Sequence, residues 1–156
     1  YTRWWHSKVL SLLIGCSIYL AIGIIATTLI MTFSGQAALL IDYTNLGVSL
    51  CLVFLHLYLI SLLILSCHTL FSSQHAIALG ALGLEGLTLF FAMLSPHASR
   101  FLFGTWGMLY RSSLSNPGFG FHVGTILLIQ AAACAVIIVS MPYALKKRGV
   151  FSATRI

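Results

Sequence analysis

Three apolar stretches of this chain, each more than twenty residues long, carry no Asp, Glu, Lys or Arg, and a fourth carries a single glutamate. An α-helix needs about 20 apolar residues to cross the hydrocarbon core of a bilayer. The sequence therefore predicts an all-α integral membrane protein with four transmembrane helices, which are expected at residues 9–33, 46–71, 76–94 and 121–143.

Composition excludes two classes of protein. The chain is 60% hydrophobic and only 6% charged, whereas soluble domains are about 25% charged, which leaves no room for a separate soluble catalytic domain. The net charge of +6 does not indicate nucleic-acid binding, because the basic residues flank the apolar segments instead of forming one face. At the basic ends we expect contacts with lipid headgroups, with cardiolipin as one candidate.

The predicted spans divide the chain into three regions. Residues 1–45 hold an interface segment, the first helix and a connector; residues 46–145 hold a core of three helices; residues 146–156 form a basic tail. The connection at 72–75 is short enough to make two antiparallel neighbours, and Pro142 is expected to close the last helix. In the loop 97–120, the apolar middle FLFGTWGMLY is too short to span and predicts a helix lying at the membrane interface.

The basic residues predict the orientation of the chain. Four spans place both termini on one side, and six of the eight cations lie there, at Arg3, Lys8, Lys146, Lys147, Arg148 and Arg155. The other side holds Arg100 and Arg111. By the positive-inside rule, both termini are expected in the cytoplasm or, for an organelle, in the matrix.

Glu85 is the only acidic residue within any of the apolar stretches and lies near the middle of the third. A charge at that depth costs between ~2.5 and ~17 kcal/mol, so a carboxyl group there points to proton movement or to a buried polar partner. Glycines at positions 80, 83 and 86 leave one flank of the helix open to a neighbouring helix or to water. Two interpretations stay open, a proton-relay group and a structural glutamate bonded to a neighbouring subunit.

Gln130 places a polar amide inside the otherwise apolar fourth span. It can hydrogen-bond water or Glu85, but it cannot titrate. A place in a proton pathway and a role as a contact between helices, worth ~0.6 kcal/mol, are both consistent with the sequence.

Three histidines offer an alternative chemistry. His56 and His68 lie in the second span, about 18 Å apart along a helix, so they cannot share one ligand. Each could be an axial haem ligand together with a histidine from another helix, such as His122; a buried, hydrogen-bonded histidine is the simpler interpretation. The four cysteines show no metal-ligand spacing, and no nucleophile, phosphate loop or zinc motif occurs. A self-contained enzyme and a catalytic residue are therefore not expected.

The sequence around both polar residues resembles subunit 4L of respiratory NADH:ubiquinone oxidoreductase (complex I), the K subunit of the bacterial enzyme. The stretch ALGALGLEGL, residues 78–87, matches the family's second helix, and LLIQAA, residues 127–132, with its apolar tail to Ser140, matches the third. The resemblance covers residues 46–141. The chain departs from the family at Gln130, where the family has a second glutamate, and in its extra first helix and long loop.

The resemblance implies a function. Glu85 would belong to the chain of buried acidic groups that links the quinone site to the antiporter-like subunits, with Gln130 and water beside it. We expect a proton-pathway subunit in the inner mitochondrial membrane, or a bacterial plasma membrane, with other membrane subunits of complex I as partners. No cofactor is expected on this chain; FMN, iron–sulfur clusters and ubiquinone would belong to the whole complex. The alternatives are a haem-binding or a purely structural four-helix subunit of another respiratory complex.

Overall fold

The structure, a computed structural model, describes residues 2–33, 43–70, 74–95, 97, 101–108 and 120–148. These residues confirm the all-α prediction with its four helices. The helices α1, α2 and α4 are long and apolar enough to cross a membrane, whereas the apolar part of α3 is shorter, at Leu79–Leu94. The elements are α1 (Thr2–Phe33), α2 (Tyr43–Leu70), α3 (Gln74–Leu94), a 3₁₀ turn (Phe103–Thr105) and α4 (Val123–Arg148).

The outer faces of the helices are apolar, as a lipid environment requires. Along α1, large aliphatic side chains such as Ile14, Ile22 and Ile30 are more than half exposed. On α3, Leu79, Leu82 and many of their neighbours are exposed as well. A water-soluble monomer rarely shows contiguous apolar surface on this scale, so these faces support the integral membrane class.

The main core lies between α1, α2 and α4. Trp5 and Val9, one helical turn apart in α1, are buried against the last turns of α4, so the start of α1 and the end of α4 lie at one end of the bundle. The predicted interface segment at the start of the chain is part of α1, which starts at Thr2. The buried members of this core are Trp5, Val9, Tyr58, Leu59, Leu62, Cys134, Met141 and Leu145.

Pro142 does not end the last helix, contrary to the sequence-based expectation. The helix α4 continues through it to Arg148. A proline in a helix has no N–H to donate to the carbonyl four residues earlier, which here belongs to Ile138. The indole N–H of Trp5 donates to that same carbonyl oxygen at 3.0 Å. The lost backbone bond is thus replaced by a side chain from α1, a substitution that membrane helices use to tolerate proline.

The prediction of a surface-lying helix in the loop is wrong for residues 101–108. These residues form consecutive tight turns, in which the amides of Thr105, Trp106 and Met108 each donate to the carbonyl three residues earlier. Gly104 and Thr105 are buried, and Trp106 packs on a second small core at Leu52, Phe121 and Ile126. Tertiary packing of Phe103 and Trp106 overrides the local preference for a helix on the surface. The rest of the predicted interface helix lies outside the described residues.

The 101–108 segment reaches back into the bundle. Gly104 lies against Glu85, which is about 14 Å from the C-terminal end of α3 at a rise of ~1.5 Å per residue. Non-helical backbone at such depth is tolerated in membrane proteins only where protein or a polar cavity surrounds it. Here α2 and α3 supply the surrounding protein.

Candidate functional site

His56 meets a polar side chain from each of two other helices, Glu85 on one side of its ring and Gln130 on the other. The imidazole Nε2 of His56 on α2 lies 3.0 Å from Oε1 of Glu85 on α3. On the other side of the ring, Nδ1 of His56 lies 3.4 Å from Nε2 of Gln130 on α4. Three helices therefore contribute to one row, Glu85–His56–Gln130, which we call the polar row.

Hydrogen-bonding chemistry assigns the direction of these contacts. A carboxylate only accepts and a neutral imidazole has one donor and one acceptor nitrogen. Nε2–H of His56 therefore donates to Glu85, and Nδ1 accepts from the amide N–H of Gln130. The polar row is thus a continuous series of donors and acceptors from α4 to α3.

Burial differs along the polar row. Gln130 is fully buried and His56 is 8% exposed, whereas the side chain of Glu85 keeps 21% of its surface exposed. An apolar groove of about 390 Å³ opens beside Glu85 between α2 and α3. It is lined by Ile60, Leu63, Ile64, Cys67, Ile77, Gly80, Ala81, Leu84, Glu85 and Phe103.

The 101–108 segment covers the Glu85–His56 contact. The ring of Phe103 lies 4.9 Å from the imidazole, centroid to centroid. A Cβ atom at Gly104 would collide with the Thr88 hydroxyl and come within 2.6 Å of Glu85 Oε2; one at Gly107 would lie 3.0 Å from His56 Cδ2. Because residues three apart eclipse in 3₁₀-type turns, both glycines face the pair. A Cβ at Gly104 would force a neighbouring group to move, whereas one at Gly107 would require the ring of His56 to shift by a few tenths of an ångström.

The structure brings the two predicted site residues into one row, but not into contact with each other. His56 stands between Glu85 and Gln130, where the sequence suggested a direct contact or water. The sequence contained a signal for the contact between His56 and Glu85. The helices α2 and α3 are antiparallel and joined by a short connection, and His56 lies about 21 Å from the end of α2 while Glu85 lies about 17 Å from the start of α3. The two residues are therefore at similar depth in neighbouring helices. Gly104 and Gly107 had no such signal, since the depth of the loop is decided by tertiary packing.

The haem alternative would require a rearrangement at His56. Both ring nitrogens of His56 have protein partners, so an axial iron bond would require breaking one of these contacts. His68 and His122 are exposed, and Nδ1 of His122 lies 3.3 Å from the Thr125 hydroxyl. The described ranges hold no cluster of three or more His, Cys, Asp or Glu side chains suited to a metal ion.

No protein-family model matches this chain, and no curated protein or solved structure matches it either. The resemblance to subunit 4L therefore rests on the motifs around Glu85 and Gln130.

Proposed function

We propose that this chain is a membrane subunit of a proton-translocating respiratory complex, in which Glu85 and His56 together carry a proton through the membrane interior. The observation that carries the proposal is the 3.0 Å contact between His56 Nε2 and Glu85 Oε1. Intramembrane ionisable residues usually mark ion or proton paths, and this pair joins two titratable groups of different chemistry.

The chemistry of the pair suits a relay. An imidazole can bind a proton at one ring nitrogen and release another from the opposite nitrogen. His56 presents Nε2 to the carboxylate and Nδ1 to Gln130, so a proton taken up on the α4 side is passed on to Glu85 on the α3 side. The partly exposed carboxylate then offers an exit toward the groove between α2 and α3.

The type of complex is suggested by the resemblance to subunit 4L. On this proposal the chain belongs to an NADH:ubiquinone oxidoreductase of the inner mitochondrial membrane or a bacterial plasma membrane. Other membrane subunits of that complex are its partners, and lipids with acidic headgroups contact its basic ends. FMN, iron–sulfur clusters and ubiquinone act in the complex as a whole, and this chain holds none of them.

The test is Glu85→Gln in the intact complex, measured as proton uptake into liposomes coupled to quinone reduction. Glutamine keeps the size and can still accept from His56, but it cannot take a proton. We expect proton translocation to fall at least tenfold while the complex assembles normally. Asp42→Asn, the other acid-to-amide change available in the sequence, is the control and should pump normally. Normal pumping by Glu85→Gln would remove the relay.

A structural role is the second candidate, and the same contact favours it. A basic partner within hydrogen-bond reach of Glu85 is what a purely structural pair between α2 and α3 requires. On that reading Glu85→Gln keeps both assembly and turnover, because the amide replaces the carboxylate as an acceptor. Glu85→Leu, which removes the acceptor, would then lower the yield of assembled complex, so the two variants together separate the two roles.

A further inference from the structure

The side-chain amide of Gln130 has a hydrogen-bond contact at its nitrogen but none at its oxygen within the described part of the chain. Its Nε2 lies 3.4 Å from His56 Nδ1, and its side chain is fully buried. Its Oε1 is buried without a hydrogen-bond partner among the described residues. A buried acceptor without a partner is costly, so its presence beside a titratable ring calls for an explanation.

The oxygen of a side-chain amide accepts hydrogen bonds and its nitrogen donates them, yet the two ends are almost equal in shape. With N–H toward the ring, Gln130 accommodates only the form of His56 in which Nδ1 is unprotonated. After a half-turn of the amide, Oε1 faces Nδ1 and accommodates only a form that carries a proton there. The half-turn gives Oε1 a partner and takes from Nε2 its contact with Nδ1.

We propose that Gln130 is a positioning residue that keeps the resting proton of His56 on Nε2, and that its amide reverses when a proton binds Nδ1. This inference deepens the proposed relay and rests on it for its consequence in proton transfer. The tautomer itself is a property of the polar row that can be measured without any transport.

One transfer balances in protons between the solvent and the polar row. A hydronium ion gives up the proton that forms the Nδ1–H bond and becomes water, the Nε2–H bond of the same ring breaks, and its proton forms an O–H bond on Glu85. His56 stays neutral overall, the carboxylate becomes neutral, and no electrons move. Gln130 Oε1 then accepts from Nδ1–H.

Within the described ranges, few groups lie against the ring of His56 and can influence this equilibrium. Glu85 faces His56 from α3, Gln130 from α4, and Phe103 and Gly107 from the 101–108 segment. The 101–108 segment, FLFGTWGM, has no titratable side chain. The amide of Gln130 is therefore the group that distinguishes the two ring nitrogens on the side away from Glu85.

The experiment is nitrogen NMR of the full-length chain in lipid nanodiscs with ¹⁵N-labelled histidine, the His56 signals being assigned by their loss in His56→Gln. We expect Nε2 protonated and Nδ1 unprotonated in the natural chain, with the other tautomer about tenfold less populated. In Gln130→Leu this preference should weaken measurably, because Nδ1 loses its donor while the Glu85 carboxylate still accepts from Nε2–H. In Gln130→Glu, whose carboxylate accepts from Nδ1–H, it should invert or give a doubly protonated ring. Cys134→Ala, one turn further along α4, is the control and should leave the signals unchanged.

Two results would overturn the proposal: a natural chain with Nδ1 protonated, or a Gln130→Leu variant with unaltered His56 signals. Because Gln130→Glu keeps a buried polar side chain, it remains informative if the leucine variant folds poorly. Failure of the relay would be seen separately, as normal pumping in Glu85→Gln while the tautomer preference of His56 still depends on Gln130.

Discussion

At Gly104 and Gly107, a missing side chain decides how closely the backbone of the 101–108 segment approaches the polar row. A Cβ at either position would enter space held by Thr88 and Glu85 or by the ring of His56. The glycines of α3 are different, because a Cβ at Gly80, Gly83 or Gly86 meets nothing within 4 Å. Glycines that look alike in the sequence therefore differ in their surroundings: Gly104 and Gly107 admit close approach of backbone, whereas the glycines of α3 lie beside open space.

The change Gly104→Ala should displace the 101–108 segment from Glu85. We expect a loss of about 1–3 kcal/mol in the free energy of unfolding, the usual cost of overpacking, measured by denaturant titration in mixed micelles. Proton translocation should fall with it.

The matched control is Gly83→Ala, where the added methyl group faces outward and alanine favours the helix by up to ~1 kcal/mol. Gly83→Ala should therefore be neutral or stabilising. Equal destabilisation by the two variants would show that Gly104 does not depend on its contact with Glu85.

At the scale of elements, α1 and α4 are joined by a hydrogen bond that depends on a proline. Pro142 removes the helical donor to the Ile138 carbonyl, and Trp5 from the start of α1 supplies the replacement at 3.0 Å. The long helix α4 thereby stays continuous to Arg148, and α1 is fixed against it by a contact that also buries an entire indole ring.

The change Trp5→Phe should loosen α1 from α4. It removes the N–H donor, and we expect a cost of about 0.5–1.5 kcal/mol for the hydrogen bond together with part of the indole packing. Trp106→Phe is the matched control, because the Trp106 N–H has no hydrogen-bond partner within the described residues. It should cost less than Trp5→Phe in the same denaturant titration.

A double-variant cycle tests the link between tryptophan and proline. Pro142→Ala restores a backbone N–H that can donate to Ile138, so Trp5→Phe should cost less in that background than in the natural chain. The coupling is read as the difference between the two costs. Costs that simply add would show that Trp5 acts through packing alone.

For the whole molecule, the bundle places the start of α1 beside the end of α4, through Trp5, Val9, Met141 and Leu145. The cations near these two helix ends, among them Lys8 and Lys147, therefore lie at one end of the bundle. This geometry agrees with an even number of spans. The side of the membrane on which they lie follows only from the positive-inside rule.

Single cysteines in a cysteine-free background test this orientation. Lys8→Cys and Lys147→Cys should both react with a membrane-impermeant maleimide from the matrix or cytoplasmic side of sealed vesicles. Phe33→Cys, at the other end of α1, should react from the opposite side. Labelling of Lys8→Cys and Lys147→Cys from different sides would contradict a four-span bundle.

The sequence by itself determined the helices and their number. An apolar run of about 20 residues leaves few options in lipid, because its backbone groups must bond within the segment. The buried charge of Glu85 was visible for the same reason, and so was the polar amide of Gln130.

Only the tertiary structure decided what these residues meet. The contacts of Trp5 with Ile138, His56 with Glu85 and Gln130 with His56 join residues 133, 29 and 74 positions apart. Local patterns predict how each helix forms, but the rotation of one helix against another depends on side-chain packing across the bundle. That packing placed His56 between the two polar residues and carried the 101–108 segment down onto Glu85.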